Sequence, residues 1–381
     1  LTGRGPGEYN DFRDKRQNKE KGKEDASMNG KKRITISDVA RKAGVSIATV
    51  SRVMNGADYP VNDNLRKAVL EAAEALHYAP NLFGRSLKSG KSSDVGVIVP
   101  SLVNPFFSEV ISGMERRFRA EGYNPIFCSS GHEPEKELEL IALMREKCVE
   151  GLLISTIHAD SGLLHRLMDE DASIVLFDQP IPGFRGDSVS FDFVRAGRIA
   201  AQYLVRMGHR EIAFLCAPFN RFSRRAIFRG FRESLAEQGA PFRRKNLVVS
   251  PDEGKMGETG IREFENGRRL AKMFLASGSG ATAAAVFNDI TALGVVRELL
   301  QNGVRVPDDV SVMGFDNIGF SAMTTPALTT INHLSFRMGA LAADVLVDRI
   351  RGKAGAPVDI LLKPELVERD SVKSVGEKRE N

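Results

Sequence analysis

Apolar residues follow two different patterns along this chain, a helical one near the N-terminus and a longer alternation of strands and helices after it. In the first pattern, apolar positions recur every three or four residues, which indicates one buried face of an α-helix. Thr35 predicts a capped helix start, Gly44 its end, and Ser46 and Asn62 the caps of two further helices. Residues 33–79 are therefore expected to form three short helices. The inward stripe of the third helix is expected to comprise Leu65, Ala68, Val69, Ala72, Ala73 and Leu76.

Residues 93–371 alternate short apolar runs with amphipathic segments, which is typical of parallel sheets covered by helices on both faces. This length exceeds one doubly wound unit, so two such units with a cleft between them are expected, and ligands bind beyond the carboxyl ends of such strands. The runs that predict strands are VGVIVPS, NPIFCSS, GLLIST, SIVLFD, EIAFLCAP, NLVVS, AAAVFND and VSVMGFD, and the amphipathic segments include 108–121, 135–147, 192–207, 224–238 and 289–302.

The two ends of the chain and the segment between the two patterns carry little that can fill a core. Residues 1–30 are rich in Gly, Lys and Glu and are expected to be a disordered tail, and residues 372–381 a second tail. Residues 80–92 contain a Gly/Ser/Lys run and support only a marginal helix, so a hinge and linker are expected there. The expected domains are thus 33–79 and 93–371.

Charge is distributed unevenly between these parts. The net charge is +5, but residues 1–91 hold 18 Lys and Arg against 11 Asp and Glu, whereas the other 290 residues hold 36 against 38. A basic end attracts phosphate backbones because binding releases their counterions. A solvated basic tail would give the same balance, so charge alone indicates nucleic acid without deciding for it.

The composition also limits the compartment and the chemistry. Cys128, Cys148 and Cys216 have neither CxxC spacing nor a nearby histidine cluster, so buried reduced thiols are expected rather than disulfides or a zinc site. No apolar run reaches the roughly 18 residues of a membrane span, and no leader pattern precedes a cleavage site. A cytoplasmic protein with no membrane contact, metal or cofactor is expected.

Five segments carry a family resemblance: TISDVARKAGVSIATVSRVMNG, YAPNLFGRSLKSG, VGVIVPSLVNPFF, VFNDITALGVV and VSVMGFDN…PALTTI. They resemble the lactose/purine repressor (LacI/GalR) family of bacterial transcription regulators, over about residues 33 to 371. The resemblance implies an α/β protein with a small all-α helix-turn-helix head and a two-lobed periplasmic-binding-protein-like core of doubly wound parallel sheets. It also implies a homodimer or higher oligomer whose heads grip a palindromic operator in double-stranded DNA, while the core senses a small-molecule effector.

The second helix of the head is the candidate for reading DNA, because a helix-turn-helix places the outward face of this helix in the major groove. A helix pair buried in a larger core is the alternative, which the polar outward face and the local basic charge disfavour. Val50, Val53 and Met54 are expected to face inward. The expected DNA contacts are Ile47, Ala48, Ser51, Arg52 and Asn55 on the outward face, with Ser46 and Thr49 near phosphates and Thr35 at the start of the first helix.

The hinge is a second DNA element by resemblance. In the family, the segment that matches GRSLK folds into a helix on operator binding and enters the minor groove. Leu87 then fits the role of an apolar wedge between base steps, with Arg85 and Lys88 as flanking positive charges.

Candidate effector residues lie where predicted strands end. Phe106 and Phe107 follow the first strand of the core and can stack on a ring or a sugar face, or else serve ordinary helix packing. Asp178 ends the SIVLFD strand, where a carboxylate accepts sugar hydroxyls. Asn288 and Asp289 are the best match to the effector site of the family, although Asp289 can instead act only as a helix N-cap.

One stretch of the predicted cleft departs from the family pattern. Arg221 and Ser223 match effector-contacting positions, but Ile227 stands where the family usually has an arginine. Arg224, one turn earlier on the same helical face, is expected to supply the guanidinium instead. With Lys255 nearby the pocket would be cationic, so an anionic effector such as a phosphosugar or a carboxylate is an alternative to a neutral sugar.

Other functions compete with a repressor. An enzyme is disfavoured because no GxGxxG follows the first strand of the core and no GxxxxGK[ST], nucleophile elbow or histidine pair with metal-binding spacing is found. A sugar-binding protein of the transport type would share the core but would have no use for residues 34–90. A repressor is preferred over a ligand-responsive activator on family precedent alone.

Overall fold

The computed structural model describes residues 34–54, 61–78, 92–157, 162, 173–252 and 261–375. Its contacts separate an N-terminal unit up to residue 90, called the head below, from a second unit that begins at residue 91, called the core. Of the hinge residues expected over 80–92, all but Ser92 lie outside the described residues, as does the tail expected over 1–30. None of the described helices is long and apolar enough to span a membrane.

The head contains three helices, as the sequence predicts: α1 Ile36–Ala43, α2 Ile47–Met54 and α3 Asp63–Ala75. The predicted capping box is confirmed, since the backbone N–H of Thr35 donates to a carboxylate oxygen of Asp38 at 3.0 Å. Gly44 ends α1 with a left-handed φ of 66°, a conformation that costs other residues more. The Oγ of Ser46 accepts from the backbone N–H of Thr49 at 3.1 Å, and Asn62 caps α3.

The core of the head is built on three fully buried valines, Val39, Val50 and Val69, one from each helix. The prediction that Leu65 joins this core is wrong, because 44% of the residue is exposed. α1 and α2, with eight residues each, span about 12 Å, whereas the thirteen residues of α3 span about 20 Å, so neither helix can cover the whole length of α3.

The core contains two six-stranded sheets among its described residues, each the centre of one lobe. The first sheet has the order β11-β5-β4-β3-β1-β2 and is parallel throughout, and the second has the order β12-β10-β9-β8-β6-β7 with only β12 antiparallel to its neighbour. The strands are β1 Asp94–Val99, β2 Asn124–Ser129, β3 Gly151–Ile154, β4 Ser173–Asp178, β5 Asp187–Phe191, β6 Ile212–Cys216, β7 Leu247–Val249, β8 Ala283–Val286, β9 Ser311–Asp316, β10 Thr329–Asn332, β11 Asp359–Leu362 and β12 Glu365–Val367. The helices are α4 Pro105–Ala120, α5 Pro134–Glu146, α6 Phe193–Arg206, α7 Phe222–Glu237, α8 Arg262–Ala276, α9 Asp289–Gln301 and α10 Ser335–Ile350, with short 3-10 turns at Arg244–Asn246 and Gly319–Ala322.

The chain passes between the two lobes at three places: after β5, between β10 and α10, and between β11 and β12. After the second passage, α10 packs against α4 of the first lobe. The helices approach so closely that a Cβ on Gly113 would collide with the backbone of Phe336, and one on Gly339 with that of Val110. The cleft therefore lies between two lobes that three short connections join.

Two smaller expectations need correction. Of the three cysteines, which are all free, only Cys216 is buried, and Cys148 is exposed on the loop that follows α5. The core also continues beyond residue 371, since Val372 is buried and the backbone N–H of Val375 donates to the carbonyl of Met207 at 2.8 Å. The segment expected as a tail thus begins as an ordered part of the second lobe.

Candidate functional site

A cavity of about 710 Å³, counted with its open mouth, lies between the lobes beyond the carboxyl ends of their strands. The structure brings together seven of the eight predicted effector residues around it. These are Phe106, Phe107, Asp178, Arg221, Ser223, Arg224 and Asn288.

The eighth predicted residue, Asp289, does not line the cavity, and the expectation that it faces an effector is wrong. Its side chain is fully buried, and its carboxylate accepts from the backbone N–H of Ile318 at 3.1 Å and from the hydroxyls of Ser321 and Thr330 at 2.6 and 2.5 Å. The N-cap alternative is also wrong. The cap of α9 is Asn288, whose Oδ1 accepts from the backbone N–H three residues later at 2.8 Å. Asp289 instead fastens the start of α9 to the chain that follows β9.

The floor of the cavity is formed by three buried polar side chains, Asp178, Asp316 and His333. Asp178 accepts from Ser155 Oγ at 3.2 Å and from Gln179 Nε2 at 3.4 Å. Asp316 lies with Oδ1 3.1 Å from His333 Nδ1. We call these three residues the polar floor.

Burial controls the charge of the polar floor. It raises the pKa of both carboxyl groups, and the negative charge of Asp178 raises that of Asp316 further. Burial also lowers the pKa of His333 to about 3, although the charge of Asp178 opposes this. The imidazole is therefore uncharged near neutral pH, and its contact with Asp316 is a hydrogen bond rather than an ion pair.

The sequence analysis did not identify Asp316 or His333 as site residues, although the sequence around Asp316 resembles that around Asp178. Asp178 and Asp316 each end a buried strand with the letters FD, SIVLFD in one sheet and VSVMGFD in the other. Both residues adopt a positive φ, 74° and 121°, which non-glycine residues rarely do outside special sites. His333 follows β10, a strand that the apolar runs did not reveal.

Aromatic rings form the walls of the cavity. Phe106 and Phe107 start α4, are almost fully buried and meet edge to face at 5.0 Å between ring centroids, so they serve packing as well as lining. Phe193, at the first passage between the lobes, and Phe287, at the end of β8, complete the apolar lining.

Polar contacts close the mouth of the cavity between the lobes. Arg221 Nη2 lies 2.5 Å from Nδ1 of His132, and Asn104 Nδ2 donates to Glu263 Oε1 at 3.2 Å. His132 and Asn104 belong to the first lobe, whereas Arg221 and Glu263 belong to the second. His132, which the sequence analysis did not single out, therefore joins this cross-lobe network.

Arg224 lines the cavity but is held by its own lobe. It is 6% exposed, its Nη1 donates to the carbonyl of Pro218 and to Asn220 Oδ1, and its guanidinium lies 4.8 Å from the ring centroid of Phe287. The expected cationic pocket is not found in the described lining, where three arginines face three acids, and Lys255 lies outside the described residues. The arginines are Arg221, Arg224 and Arg262, and the acids are Asp178, Glu263 and Asp316.

The outward face of α2 has the exposure that a DNA-reading helix needs. Ile47 is 51% exposed, Ala48 and Arg52 are exposed and Ser51 is partly so, whereas Val50 and Val53 are buried. Asn55, Arg85, Leu87 and Lys88 lie outside the described residues. The hydroxyl of Thr35 donates to Asp38 at 2.7 Å, and those of Ser46 and Thr49 share a hydrogen bond of 2.9 Å.

Comparison with known proteins decides the family. Residues 35–81 match the bacterial regulatory proteins of the lacI family, and residues 201–372 match a periplasmic binding protein-like domain. The HTH-type transcriptional repressor PurR of Vibrio parahaemolyticus is 35% identical over 344 residues, which are 90% of this chain and 99% of that protein. The chain belongs to the lacI family.

Solved structures confirm the architecture of this lacI-family chain. It resembles the lac repressor dimer bound to operator and the anti-inducer ONPF, with a TM-score of 0.77 and 27% identity over 90% of this chain and 100% of that one. It also resembles the transcriptional regulator CelR in complex with cellobiose, with a TM-score of 0.65 and 28% identity over 89% and 100%. The predicted fold class and the assignment as a DNA-binding transcription regulator are confirmed.

Proposed function

We propose that this lacI-family regulator is a cytoplasmic, non-enzymatic repressor whose dimer grips a palindromic operator, and that a neutral, hydroxyl-rich ring molecule in the cleft controls operator affinity. The observation that carries the effector class is the polar floor between aromatic walls. Carboxylates accept hydrogen bonds from hydroxyls, and aromatic rings stack against the apolar face of a sugar ring. CelR, a relative in fold and sequence, was solved with the sugar cellobiose. PurR, named a repressor, favours repression over activation.

The charge of the polar floor argues against an anionic effector. Both carboxyl groups already have raised pKa values because burial penalises their charge. An anion beside them would add a further like charge in a region of low dielectric. A hydroxyl group donates to an ionised carboxylate and accepts from a protonated one, so the floor favours a neutral polyol over a phosphosugar or a carboxylate.

On the DNA side, the proposal assigns apolar contacts to Ile47 and Ala48 and polar base reading to Arg52. Side chains without hydrogen-bonding groups favour thymine methyls, and an arginine bonds two acceptors of guanine. Thr35 is a weaker candidate than its position suggests, because its hydroxyl already donates to Asp38. Contacts to phosphate at that helix start are better supplied by backbone N–H groups.

The test uses the full chain with D-ribose, D-glucose and cellobiose as probes, and ribose 5-phosphate as the anionic comparison. A neutral probe that occupies the cleft raises the melting temperature of the folded state by mass action. Asp316→Asn should lose most of this shift but keep operator binding in the absence of probe. Asp370→Asn, which changes an exposed aspartate of the same lobe, is the matched control and should keep both. A shift with ribose 5-phosphate alone would overturn the neutral class.

A further inference from the structure

His333 has an unusual position in the core, because it lies on one of the three passages between the lobes. It follows β10 of the second sheet by one residue and precedes α10, which packs on the first lobe, by two. The passage turns sharply there, with Leu334 at a left-handed φ of 53° and its backbone N–H bonded to Asn332 Oδ1 at 2.9 Å. A group bonded to His333 is thus bonded to the connection between the lobes.

The ring of His333 lies among aromatic side chains that come from both sides of the cleft. Phe191 lies 4.0 Å from it between ring centroids, and Phe106 and Phe193 meet it edge to face at 6.1 and 5.8 Å. His333 is 3% exposed and forms part of the lining of the cavity. This ring is thus a polar group that lines the cavity and is held among apolar neighbours.

One nitrogen of this ring is bonded and the other is not. Nδ1 faces Asp316 Oδ1, whereas Nε2 is buried without a hydrogen-bond partner among the described residues. Buried polar atoms in native proteins nearly always have a partner, so an exception calls for a functional explanation. The lining position of the ring makes a ligand in the cavity the natural source of that partner.

The chemistry of Nε2 follows from the protonation of Asp316. If Asp316 is ionised, Nδ1 carries the hydrogen and donates to it, and Nε2 is an acceptor. If Asp316 is protonated, its carboxyl group donates to Nδ1, and Nε2 carries the hydrogen and is a donor. A hydroxyl group is both donor and acceptor, so it satisfies Nε2 in either state.

We infer that Nε2 of His333 forms a hydrogen bond to a ring hydroxyl of the effector, which makes His333 a specificity-determining residue of the cleft. The inference rests on the function proposed above and extends it from the carboxylates to a third polar atom. His333 itself lies on the second passage, between β10 of the second lobe and α10, which packs on the first, so a ligand bonded to Nε2 is bonded to a connection between the lobes.

Two substitutions separate the two nitrogens. The amide of His333→Asn occupies the place of Nδ1 and keeps a partner for Asp316, but it leaves nothing at the place of Nε2. The amide of His333→Gln reaches the place of Nε2 and gives up the contact with Asp316. Both variants remove the imidazole ring, so the loss of aromatic packing is matched between them.

The experiment uses calorimetry on the full-length wild type and both variants. The ligand is whichever of D-ribose, D-glucose or cellobiose binds the wild type. The affinities for this sugar and for its monodeoxy analogues are measured. His333→Asn should bind the full sugar roughly tenfold or more weakly, since a hydrogen bond to a buried group is lost, and His333→Gln within about threefold of the wild type. The analogue that lacks the hydroxyl bonded to Nε2 should bind the wild type and His333→Asn with equal affinity, because neither complex then contains that hydrogen bond. Operator binding without sugar, measured on the same samples, shows that each variant is folded.

Each other outcome counts against the inference. If His333→Asn keeps its affinity and His333→Gln loses it, the residue acts only through Asp316. If both variants bind and discriminate like the wild type, Nε2 touches no ligand while the proposed function stands. If none of the three sugars binds the wild type, the proposed effector class fails and the inference fails with it.

Discussion

Neighbouring residues in one motif take opposite roles in this cleft. Asn288 and Asp289 stand side by side in VFNDITALG, but only Asn288 lines the cavity, and Asp289 is closed off beneath it. The sequence pattern places the motif at the end of a buried strand, but it does not show which of the two side chains faces the cavity. Asp316, one of the three acids that do line the cavity, lies on the next strand of the same sheet, β9, beside β8.

A first prediction at this scale concerns Asp289. Asp289→Ala should lower the free energy of unfolding by at least about 3 kcal/mol, because it leaves three buried donors without an acceptor. Chemical denaturation with circular dichroism measures this, with Asp370→Ala as the exposed control. If the variant keeps its stability and loses only its response to sugar, Asp289 is a ligand residue after all.

A second prediction at this scale concerns the pH dependence that His333 contributes. Its folded pKa of about 3 lies below the ordinary 6.5, so the unfolded chain binds a proton that the folded chain rejects. The stability that this group contributes is therefore present above pH 6.5 and is lost as the pH falls toward 3, by about 1.4 kcal/mol per pH unit. Asp178 and Asp316 have raised pKa values, so their contributions to stability change with pH in the opposite direction. Both residues are present in the wild type and in the variant His333→Gln, with which it is compared.

The measurement is the difference in the free energy of unfolding between wild type and His333→Gln, from pH 7.5 down to pH 5. The difference should stay constant above about pH 7. Below pH 6.5 the wild type should lose stability relative to His333→Gln. A difference that is flat over the whole range would show that His333 keeps its ordinary pKa in the folded protein.

At the scale of elements, the sequence predicts apolar strands well and polar strands poorly. The eight apolar runs all contain observed strands, β1 to β4 and β6 to β9. Four strands were not predicted: DSVSF of β5, TTIN of β10, DILL of β11 and ELV of β12. In β5 and β10, buried hydroxyls interrupt the apolar pattern. The fold pairs those hydroxyls over long range: Ser188 donates to Asp359 at 2.5 Å, 171 residues away, and Thr330 donates to Asp289. Such partners are invisible to a local pattern, and so is a site residue such as His333 that follows one of these strands.

Helix α2 carries the prediction that belongs to this scale. Arg52 is exposed on its outward face, beyond the buried Val50 and Val53. Arg52→Ala should weaken operator binding by about 1–3 kcal/mol and relax the preference for one base in each half-site. Arg66→Ala, at an exposed arginine of α3, is the matched loss of charge. Equal losses on operator and on random DNA, measured at one salt concentration, would reduce Arg52 to a phosphate contact.

At the scale of the whole molecule, regulation requires that a change in the core reaches the head. The structure describes each unit separately, and the residues between them, including Arg85, Leu87 and Lys88, lie outside the described part of the chain. The wedge role of Leu87 therefore stays a prediction from the family resemblance. Its physical content is that unstacking a base step costs a few kcal/mol, which is recovered only when both heads of a dimer are seated at the correct spacing.

Leu87→Ala should therefore weaken operator binding and reduce the bend of the operator, because alanine is too small to hold a base step open. The affinity of the DNA-free protein for its sugar should stay nearly unchanged, since the cleft lies wholly within the core. Bend angle and operator affinity, measured for wild type and variant at one stated salt concentration, test this, with Leu82→Ala as an apolar control in the same segment. If both leucines lose affinity equally and the bend is retained, the segment contributes general apolar contact. If neither quantity changes for Leu87→Ala, the coupling between effector and operator does not pass through this wedge and must be sought in the spacing of the two heads.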